Sequence, residues 1–213
     1  MLAYLAMSQR REGGRRALFL DRDGVLVQDV GLVTRADQLV IAKDAPDALR
    51  RAAWLGLSAV VVTNQTVIAR GLASEVEVEE LHGSLEQALA RRGAPRFAGV
   101  YVCPHHPHAQ LERYRVSCGC RKPQPGLLLR AAAELGLDLS GSFLIGDRAS
   151  DVAAARACGV VALLLSGPES AARAIVGAEA IGALGEPAVV VSSLSAALDW
   201  IESEVDGREE ARA

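Results

Sequence analysis

Short aliphatic runs alternate with longer amphipathic segments along this chain, and this alternation restricts its fold more than any other feature. Each run is almost continuously apolar, as expected for a strand covered on both faces. Such alternation is typical of a parallel sheet wrapped by helices, an α/β fold. The predicted strands are Ala17–Leu20, Ser58–Thr63, Gly99–Val102, Ser142–Ile145, Val160–Leu165 and Ala188–Val191. The predicted helices are Asp47–Leu55, Ser74–Arg92, Gly126–Leu135, Ser150–Ala157 and Leu194–Glu204.

The composition fits a single domain of this kind. The chain has 213 residues, of which 50% are hydrophobic, 23% charged and 4% aromatic, so one core built mainly from Ala, Val and Leu is expected. A net charge of −3 does not suggest a nucleic-acid binder, which usually carries a basic surplus. No apolar run approaches the roughly 20 residues that cross a bilayer. We therefore expect a cytoplasmic protein without a membrane partner, and a monomer, because no apolar face is obviously spare.

The ends of the chain are predicted to lie outside the domain. Residues 1–16 are expected to form a flexible leader, because the apolar stretch of Met1–Met7 is too short for a signal peptide and lacks a preceding positive charge. Residues 17–205 form the domain, and residues 206–213 a polar, frayed tail. Gly167–Pro187 is predicted to hold a short helix between two loops.

The first predicted strand runs directly into Asp21-Arg22-Asp23-Gly24. Ligands of an open parallel sheet bind at the carboxyl ends of its strands, and two carboxylates at such an end can share a divalent cation while taking separate roles. Gly24 permits a sharp turn close to a ligand. Alone, this pattern is weak, since it also opens calcium loops and is most often a polar turn.

Three further segments carry matching chemistry in the same order along the chain. Thr63-Asn64 offers a hydroxyl and a backbone N–H for phosphate oxygens, and Arg121-Lys122 supplies two cations just before a helix. Gly146-Asp147, with Asp151 four residues later, can complete an oxygen-ligand magnesium site. Each segment alone has a plainer interpretation as a strand-end turn, solvated surface or helix cap. Together they predict a phosphate-transfer site on one edge of the sheet.

These residues resemble the four ordered motifs of the haloacid dehalogenase (HAD) superfamily. The resemblance covers about residues 17–165 and implies a Rossmannoid three-layer sandwich around a central parallel sheet. It implies that Asp21 is the nucleophile, forming a phospho-aspartate, and that Asp23 is the general acid and then the general base. Thr63, the Asn64 backbone and Lys122 would stabilise the phosphoryl oxygens. Catalytic Mg²⁺ would be held by Asp21, the Asp23 carbonyl and Asp147, with Asp151 acting behind these ligands.

A second set of residues lies in a loop that lacks a predicted helix. Three thiols and one imidazole match a closed tetrahedral zinc site, and such a loop otherwise lacks a core to order it. Four protein ligands leave no open position, so the expected Zn²⁺ is structural. One alternative is a disulfide from Cys103 to Cys118 or Cys120, which a cytosolic protein would rarely keep, and another is chance clustering of polar residues. His106 or His108 could take the place of His105 as the imidazole ligand. The expected ligands are Cys103, His105, Cys118 and Cys120, whereas Cys158 is expected to be a buried helix-end thiol.

This loop narrows the resemblance to subfamily IIIA phosphatases, the D-glycero-D-manno-heptose 1,7-bisphosphate 7-phosphatases and the related histidinol-phosphate phosphatases. The motif Cys103-Pro-His-His-Pro favours the heptose branch, whose members lack a large cap domain. Arg70, Arg121 and His106 would then hold the distal part of a bisphosphate, although Arg70 is equally explained as a solvated charge. The chain departs from the heptose pattern at Thr66-Val67, usually Ser-Gly, and at Leu32, usually Tyr. These departures concern the substrate and leave the reaction type unchanged.

Overall fold

The computed structural model describes residues 14–166 and 187–210. Most of the predicted leader and the helix predicted within Gly167–Pro187 lie outside these residues. The described chain forms one parallel sheet of six strands, in the spatial order third, second, first, fourth, fifth, sixth. In chain order the strands are β1 Ala17–Leu20, β2 Ser58–Asn64, β3 Gly99–Cys103, β4 Phe143–Gly146, β5 Val161–Leu165 and β6 Val189–Val191.

The predicted helices are present with bounds within two residues of those predicted, except for the last one. The helix predicted to end at Glu204 continues to Glu210, so the part of the predicted tail up to that residue is helical. A four-residue helix that no periodicity predicted follows β2. Among the described residues, no helix is both long and apolar enough to span a membrane. The helices are α1 Ala45–Trp54, α2 Thr66–Ala69, α3 Glu75–Ala90, α4 Gly126–Leu135, α5 Ala149–Arg156 and α6 Leu194–Glu210, with 3₁₀ turns at Ala36–Gln38 and Glu112–Tyr114.

Local chemistry accounts for several helix ends. Ser74 accepts a hydrogen bond from the Glu77 backbone N–H, and the Glu77 carboxylate accepts one from the Ser74 backbone, which is a capping box at the start of α3. Gly136 ends α4 in the left-handed region with φ 63°, a conformation that costs glycine little.

The sheet separates two cores, which makes the fold the predicted three-layer sandwich. Leu18 and Leu20 face a layer formed by α1, α3 and α6. Ala17 and Phe19 face the opposite layer, formed by α4 and α5. Because successive strand residues point to opposite faces, each strand contributes to both cores, which explains why the strands are almost continuously apolar.

The strand order places a crevice beside β1. The chain moves outwards from β1 to β2 and β3, and then returns to place β4 on the other side of β1. Such a reversal opens a crevice at the carboxyl ends of the strands. The motif residues after β1, β2 and β4 therefore meet at this edge, and no separate cap domain covers it in the described part of the chain.

Candidate active site

Asp21 lies at the carboxyl end of the central strand and is held from two sides. Its backbone N–H donates to the carbonyl of Ile145 in β4 at 3.1 Å, and its Oδ1 accepts from the Arg22 backbone N–H at 2.7 Å. The residue is 7% exposed and lines a cavity of about 590 Å³ at the strand ends. The Asp21 carboxylate is thus fixed in orientation and open to a small ligand.

The turn after Asp21 requires a glycine. Gly24 has φ +82°, and a Cβ at this position would overlap the Asp147 carboxylate. The Gly24 N–H donates to the Val27 carbonyl at 2.8 Å, which closes the turn. The absence of a side chain at Gly24 thus lets the first and fourth motifs approach each other.

Lys122 is the buried cation of the site. Its Nζ lies 3.1 Å from Asp21 Oδ2 and 2.5 Å from Asp151 Oδ1, and it donates to the Val62 carbonyl at 2.8 Å. Burial alone would lower the pKa of the Lys122 ammonium, but the Asp151 and Asp21 carboxylates outweigh burial and raise the pKa above its usual value. Lys122 is therefore charged and directed at the predicted nucleophile.

The Asn64 side chain holds the backbone of Lys122. Asn64 Oδ1 accepts from the Lys122 N–H, and Asn64 Nδ2 donates to the Lys122 carbonyl, both at 3.1 Å. This reciprocal pair joins the end of β2 to the third motif. The substrate-binding role predicted for Asn64 concerns its backbone and stays a prediction, whereas its side chain positions the lysine.

Three carboxylates converge beside Lys122 in an arrangement suited to a divalent cation. One oxygen from each of Asp21, Asp147 and Asp151 lies within 4.8 Å of the others. Asp147 Oδ1 is buried and accepts no hydrogen bond from the described residues. Burial and the Asp21 and Asp151 carboxylates raise the pKa of Asp147 to about 7. An unsatisfied oxygen in a cluster of like charges fits a site for Mg²⁺, which prefers carboxylate ligands.

Asp151 makes two further contacts besides its place in the carboxylate cluster. Its Oδ2 accepts from the Arg148 backbone N–H at 3.1 Å, at the start of α5, and its Oδ1 meets Lys122. Gly146 makes room for it, because a Cβ there would overlap the Asp151 side chain. Burial raises the pKa of Asp151 to about 6, although Lys122 acts to lower it. The supporting role behind the metal ligands that the resemblance implied for Asp151 stays a prediction.

Asp23 and Thr63 also lie at this edge, and both contact Gln65. Gln65 Nε2 donates to Asp23 Oδ2 and to Thr63 Oγ1, each at 2.9 Å. Asp23 Oδ2 further pairs with Arg22 Nη2 at 2.8 Å. Sequence reasoning did not assign a role to Arg22, which lies within the first motif, or to Gln65, which directly follows Thr63-Asn64. Nothing in a single sequence shows that these two polar side chains are buried.

The rim of the cavity is basic. Arg70, Arg121 and His106 all line it, as predicted for the distal end of a substrate. Arg121 is oriented by donating from Nη1 to the His105 carbonyl at 2.9 Å. The pKa of His106 is lowered by burial and by the charges of Arg121, His108 and Arg70, so this imidazole sits among cations.

Arg148 is a further cation that the sequence analysis did not single out. It lines the same cavity, and its Nη2 lies 3.0 Å from Asp29 Oδ2. Its place directly after Asp147 was the available signal. Leu32 and Val67, where the chain departs from the heptose pattern, line the cavity too, so both substitutions lie where a substrate would contact them.

The predicted zinc ligands form a compact cluster in the described structure. The Cys120 Sγ lies 3.2 Å from the Sγ of Cys103 and 3.3 Å from that of Cys118, and His105 Nδ1 lies 3.3 Å from Cys120 Sγ. The cysteines are free thiols, and a tetrahedral zinc ion would set its ligand atoms about 3.5 to 3.8 Å apart. The cluster is therefore suited to one metal ion.

Two details of this cluster bear on the alternatives weighed from the sequence. The histidine in the cluster is His105, whereas His106 Nδ1 accepts from the His108 backbone N–H at 3.1 Å. Burial and the neighbouring Cys120 thiol raise the pKa of Cys103, and a bound cation would reverse that effect. Cys158 follows the end of α5 and donates to the carbonyls of Ala154 and Ala155, away from the cluster. It is half-buried and not fully buried as expected.

Comparison with known proteins shows the family to which this chain belongs. Residues 119–197 match a family model described as HAD-hydrolase-like. The chain is 44% identical over 142 residues to the D-glycero-β-D-manno-heptose-1,7-bisphosphate 7-phosphatase of Photorhabdus laumondii, covering 67% of this chain and 75% of that protein. It is 40% identical over 166 residues to the D-glycero-α-D-manno-heptose-1,7-bisphosphate 7-phosphatase of Burkholderia mallei, covering 78% and 87%.

A solved structure shows the same fold. The crystal structure of the D,D-heptose 1,7-bisphosphate phosphatase of B. bronchiseptica, complexed with magnesium and phosphate, aligns with a TM-score of 0.74 and 29% identity, over 89% of this chain and 99% of that one. A three-layer sandwich with a carboxylate cluster and a lysine at one sheet edge defines a HAD-like hydrolase. The chain belongs to the HAD superfamily, in the family of the heptose bisphosphate phosphatases.

Proposed function

We propose that this protein is a Mg²⁺-dependent phosphatase that removes the 7-phosphate of D-glycero-D-manno-heptose 1,7-bisphosphate. The observation that carries the proposal is the Asp21 carboxylate, which faces the cavity with a buried lysine on one side and two further carboxylates on the other. A carboxylate placed in this way can act as an in-line nucleophile, with the Lys122 ammonium on one side and, on the other, two carboxylates that would hold a divalent cation.

In the first half of the reaction, the Asp21 carboxylate attacks phosphorus and the bond from phosphorus to the sugar oxygen breaks. Asp23 gives its proton to that oxygen as it leaves. Lys122 stabilises the negative charge on the phosphoryl oxygens, together with the Thr63 hydroxyl and the Asn64 backbone. The products of this half are a phospho-aspartate and the dephosphorylated sugar end.

In the second half, a water molecule attacks the same phosphorus and Asp23 accepts its proton. The bond from phosphorus to Asp21 breaks, which restores the carboxylate and releases phosphate. When bound by Asp21, Asp147 and the Asp23 carbonyl, Mg²⁺ supplies positive charge that allows an anionic carboxylate to approach an anionic phosphate. Asp151 holds Lys122 in place, since the two side chains are paired in the buried site.

The basic rim supports a bisphosphate as the substrate. Arg70, Arg121 and Arg148 line the open side of the cavity, and guanidinium groups suit bidentate contact with a second phosphate. Histidinol phosphate is the main alternative, but its distal group is cationic and would be repelled by these residues. Relatives that act on the β anomer and on the α anomer are both similar to this chain, so we do not assign the anomer. We further propose a cytoplasmic monomer.

The test is Mg²⁺-dependent phosphate release from both anomers of heptose 1,7-bisphosphate, beside histidinol phosphate and fructose 1,6-bisphosphate. A clear preference in kcat/KM for one heptose anomer is expected. Good turnover of histidinol phosphate instead would overturn the assignment of substrate. Asp21→Asn should abolish release, and Asp47→Asn, an exposed residue of α1 paired with Arg50, should not. Release by Asp21→Asn at the wild-type rate would refute the covalent mechanism.

A further inference from the structure

Arg22 is a buried charge in the middle of the first motif. It is 1% exposed and is among the largest fully buried side chains of the described structure. Arginine is almost never buried without partners, because an unpaired charge in the interior is very costly. The partners of the Arg22 guanidinium therefore indicate the role of this residue.

The guanidinium is directed mainly at Asp23. Arg22 Nε donates to Asp23 Oδ1 at 3.0 Å, and Nη2 donates to Oδ1 and Oδ2 at 2.9 and 2.8 Å. Both oxygens of the Asp23 carboxylate are thus held by one planar fork. The Asp23 side chain is 19% exposed, against 1% for Arg22, so the buried arginine is the fixed partner and the carboxylate is the one that reaches the cavity.

Two buried side chains hold the guanidinium itself. Arg22 Nη2 donates to Gln65 Oε1 at 2.9 Å, and Nη1 lies 3.3 Å from His82 Nε2. Burial and the charge of Arg22 lower the pKa of His82 to about 3, so the imidazole is neutral and its Nε2 accepts from the arginine. His82 lies on α3, which ties the orientation of Arg22 to a helix of the core.

The same network extends to Thr63. Because Gln65 Oε1 is occupied by Arg22, its Nε2 is turned towards Asp23 Oδ2 and Thr63 Oγ1. One amide thereby sets the relative position of the proton-transfer group and a phosphate-binding hydroxyl. Productive proton transfer requires placement within a few tenths of an ångström, which a part-exposed aspartate does not achieve alone.

We propose that Arg22, held by His82 and Gln65, is the positioning residue that orients the Asp23 carboxylate for proton transfer to the leaving oxygen. This inference rests on the proposed phosphatase function, in which Asp23 is the acid. Arg22 does not itself reach the substrate. It acts through Asp23, so its removal should harm the reaction only where proton transfer from Asp23 is needed.

The competing explanation is that Arg22 only fills and stabilises the interior. The two explanations differ in how activity depends on the leaving group. An alkyl phosphate such as the sugar needs protonation of its departing oxygen, whereas p-nitrophenyl phosphate releases a stable anion that needs little. A purely structural loss lowers the number of competent molecules and reduces both activities by the same factor.

The experiment compares kcat/KM for the sugar bisphosphate and for p-nitrophenyl phosphate in Arg22→Met and Asp23→Asn. The quantity compared is kcat/KM for the sugar bisphosphate divided by kcat/KM for p-nitrophenyl phosphate. This ratio does not depend on the folded fraction of a preparation, and each kcat/KM reports the step that forms the phospho-aspartate. We expect the ratio to fall at least about tenfold in both variants. Arg50→Met, which removes an exposed arginine of α1 that is likewise paired with an aspartate, should leave the ratio unchanged.

Equal losses on both substrates in Arg22→Met, with the ratio within about twofold of wild type, would overturn the proposal. If Arg22→Met does not fold, His82→Leu decides the matter, because it withdraws support from the arginine without touching Asp23. A fall in the ratio in that variant supports the proposal, and an unchanged ratio refutes it. Failure of the proposed function is distinguishable, since wild-type protein would then release no phosphate from the sugar bisphosphate with Mg²⁺, whatever its activity on p-nitrophenyl phosphate.

Discussion

Lys122→Met removes the charge that the buried carboxylates share while keeping a side chain of similar length. In the wild type, Lys122 Nζ contacts Asp21 Oδ2, Asp151 Oδ1 and the Val62 carbonyl. The variant leaves two fully or largely buried carboxylates without that cation, beside Asp147, whose pKa is already raised to about 7. Breaking a buried pair by removing one partner costs about 3–5 kcal/mol.

Two assays follow from these contacts. In EDTA, the thermal midpoint of unfolding should fall by about 6–20 °C, because a domain of this size loses about 2–4 °C per kcal/mol. Saturating Mg²⁺ should recover part of this loss, since it returns positive charge to the same carboxylates. The rise in thermal midpoint on adding Mg²⁺ should therefore be larger in the variant than in the wild type. The rate of phosphate release should fall by about 10²–10³, as when one donor to a developing charge is removed.

The chain provides a matched control, because its only other lysine is the exposed Lys43. Lys43→Met should change neither the thermal midpoint nor the rate. A Lys122→Met protein with a wild-type midpoint in EDTA would refute the account of Lys122 as the shared counter-ion. A rate within about tenfold of wild type would refute its role in charge stabilisation.

Three further predictions concern the metal sites and the buried histidine. Protein purified without added metal should contain about one zinc per chain by elemental analysis. The Cys118→Ser variant should lose this zinc, and the Cys158→Ser variant should keep it. A stable, metal-free wild-type protein with reduced thiols would contradict this prediction. The pKa of Asp147 is raised to about 7, so protons should compete with Mg²⁺ for this carboxylate. The apparent affinity of the protein for Mg²⁺ should weaken by up to about tenfold per pH unit below that value. Affinities measured by calorimetry that do not change with pH would contradict this prediction. The pKa of His82 is lowered to about 3, so the unfolded chain binds a proton that the folded protein does not. The contribution of His82 to the free energy of unfolding should therefore fall by up to about 1.4 kcal/mol per unit as pH drops from about 6.5 towards 3. Asp147 and Asp151, whose pKa values are raised, contribute with the opposite sign, so urea denaturation should compare His82→Gln with wild type at each pH, and the difference between the two should shrink as pH falls.

Much of the site could be predicted from the chain because it depends on local order. Asp21, Thr63-Asn64 and Asp147 each follow an apolar run, and parallel strands bring their carboxyl ends to one edge whatever the details of packing. The cysteine spacing around residues 103–120 likewise confines four metal-binding side chains to one loop. The clustering of these groups was therefore predictable, and the structure supplies the distances between them.

Other features depended on contacts between distant segments. Periodicity could not reveal α2, since four residues provide no repeat, and it placed the end of the last helix six residues early because its last turns are polar. The sequence offered three histidines within four residues for the metal loop, without indicating which one turns inwards. In the structure, Nδ1 of His105 lies beside the thiols.

The sequence by itself determined the class of fold and the chemistry at the strand ends, because apolar periodicity and strand direction are properties of short segments. Only the tertiary structure decided which polar groups became buried partners. Arg22 meets Gln65 and His82 across 43 and 60 residues of chain, and Lys122 meets the Val62 carbonyl across another 60. The free energy of a charge depends on the burial and the partners that packing provides. The same arginine that would be a solvated residue in an isolated motif is here a fixed contact of the predicted acid.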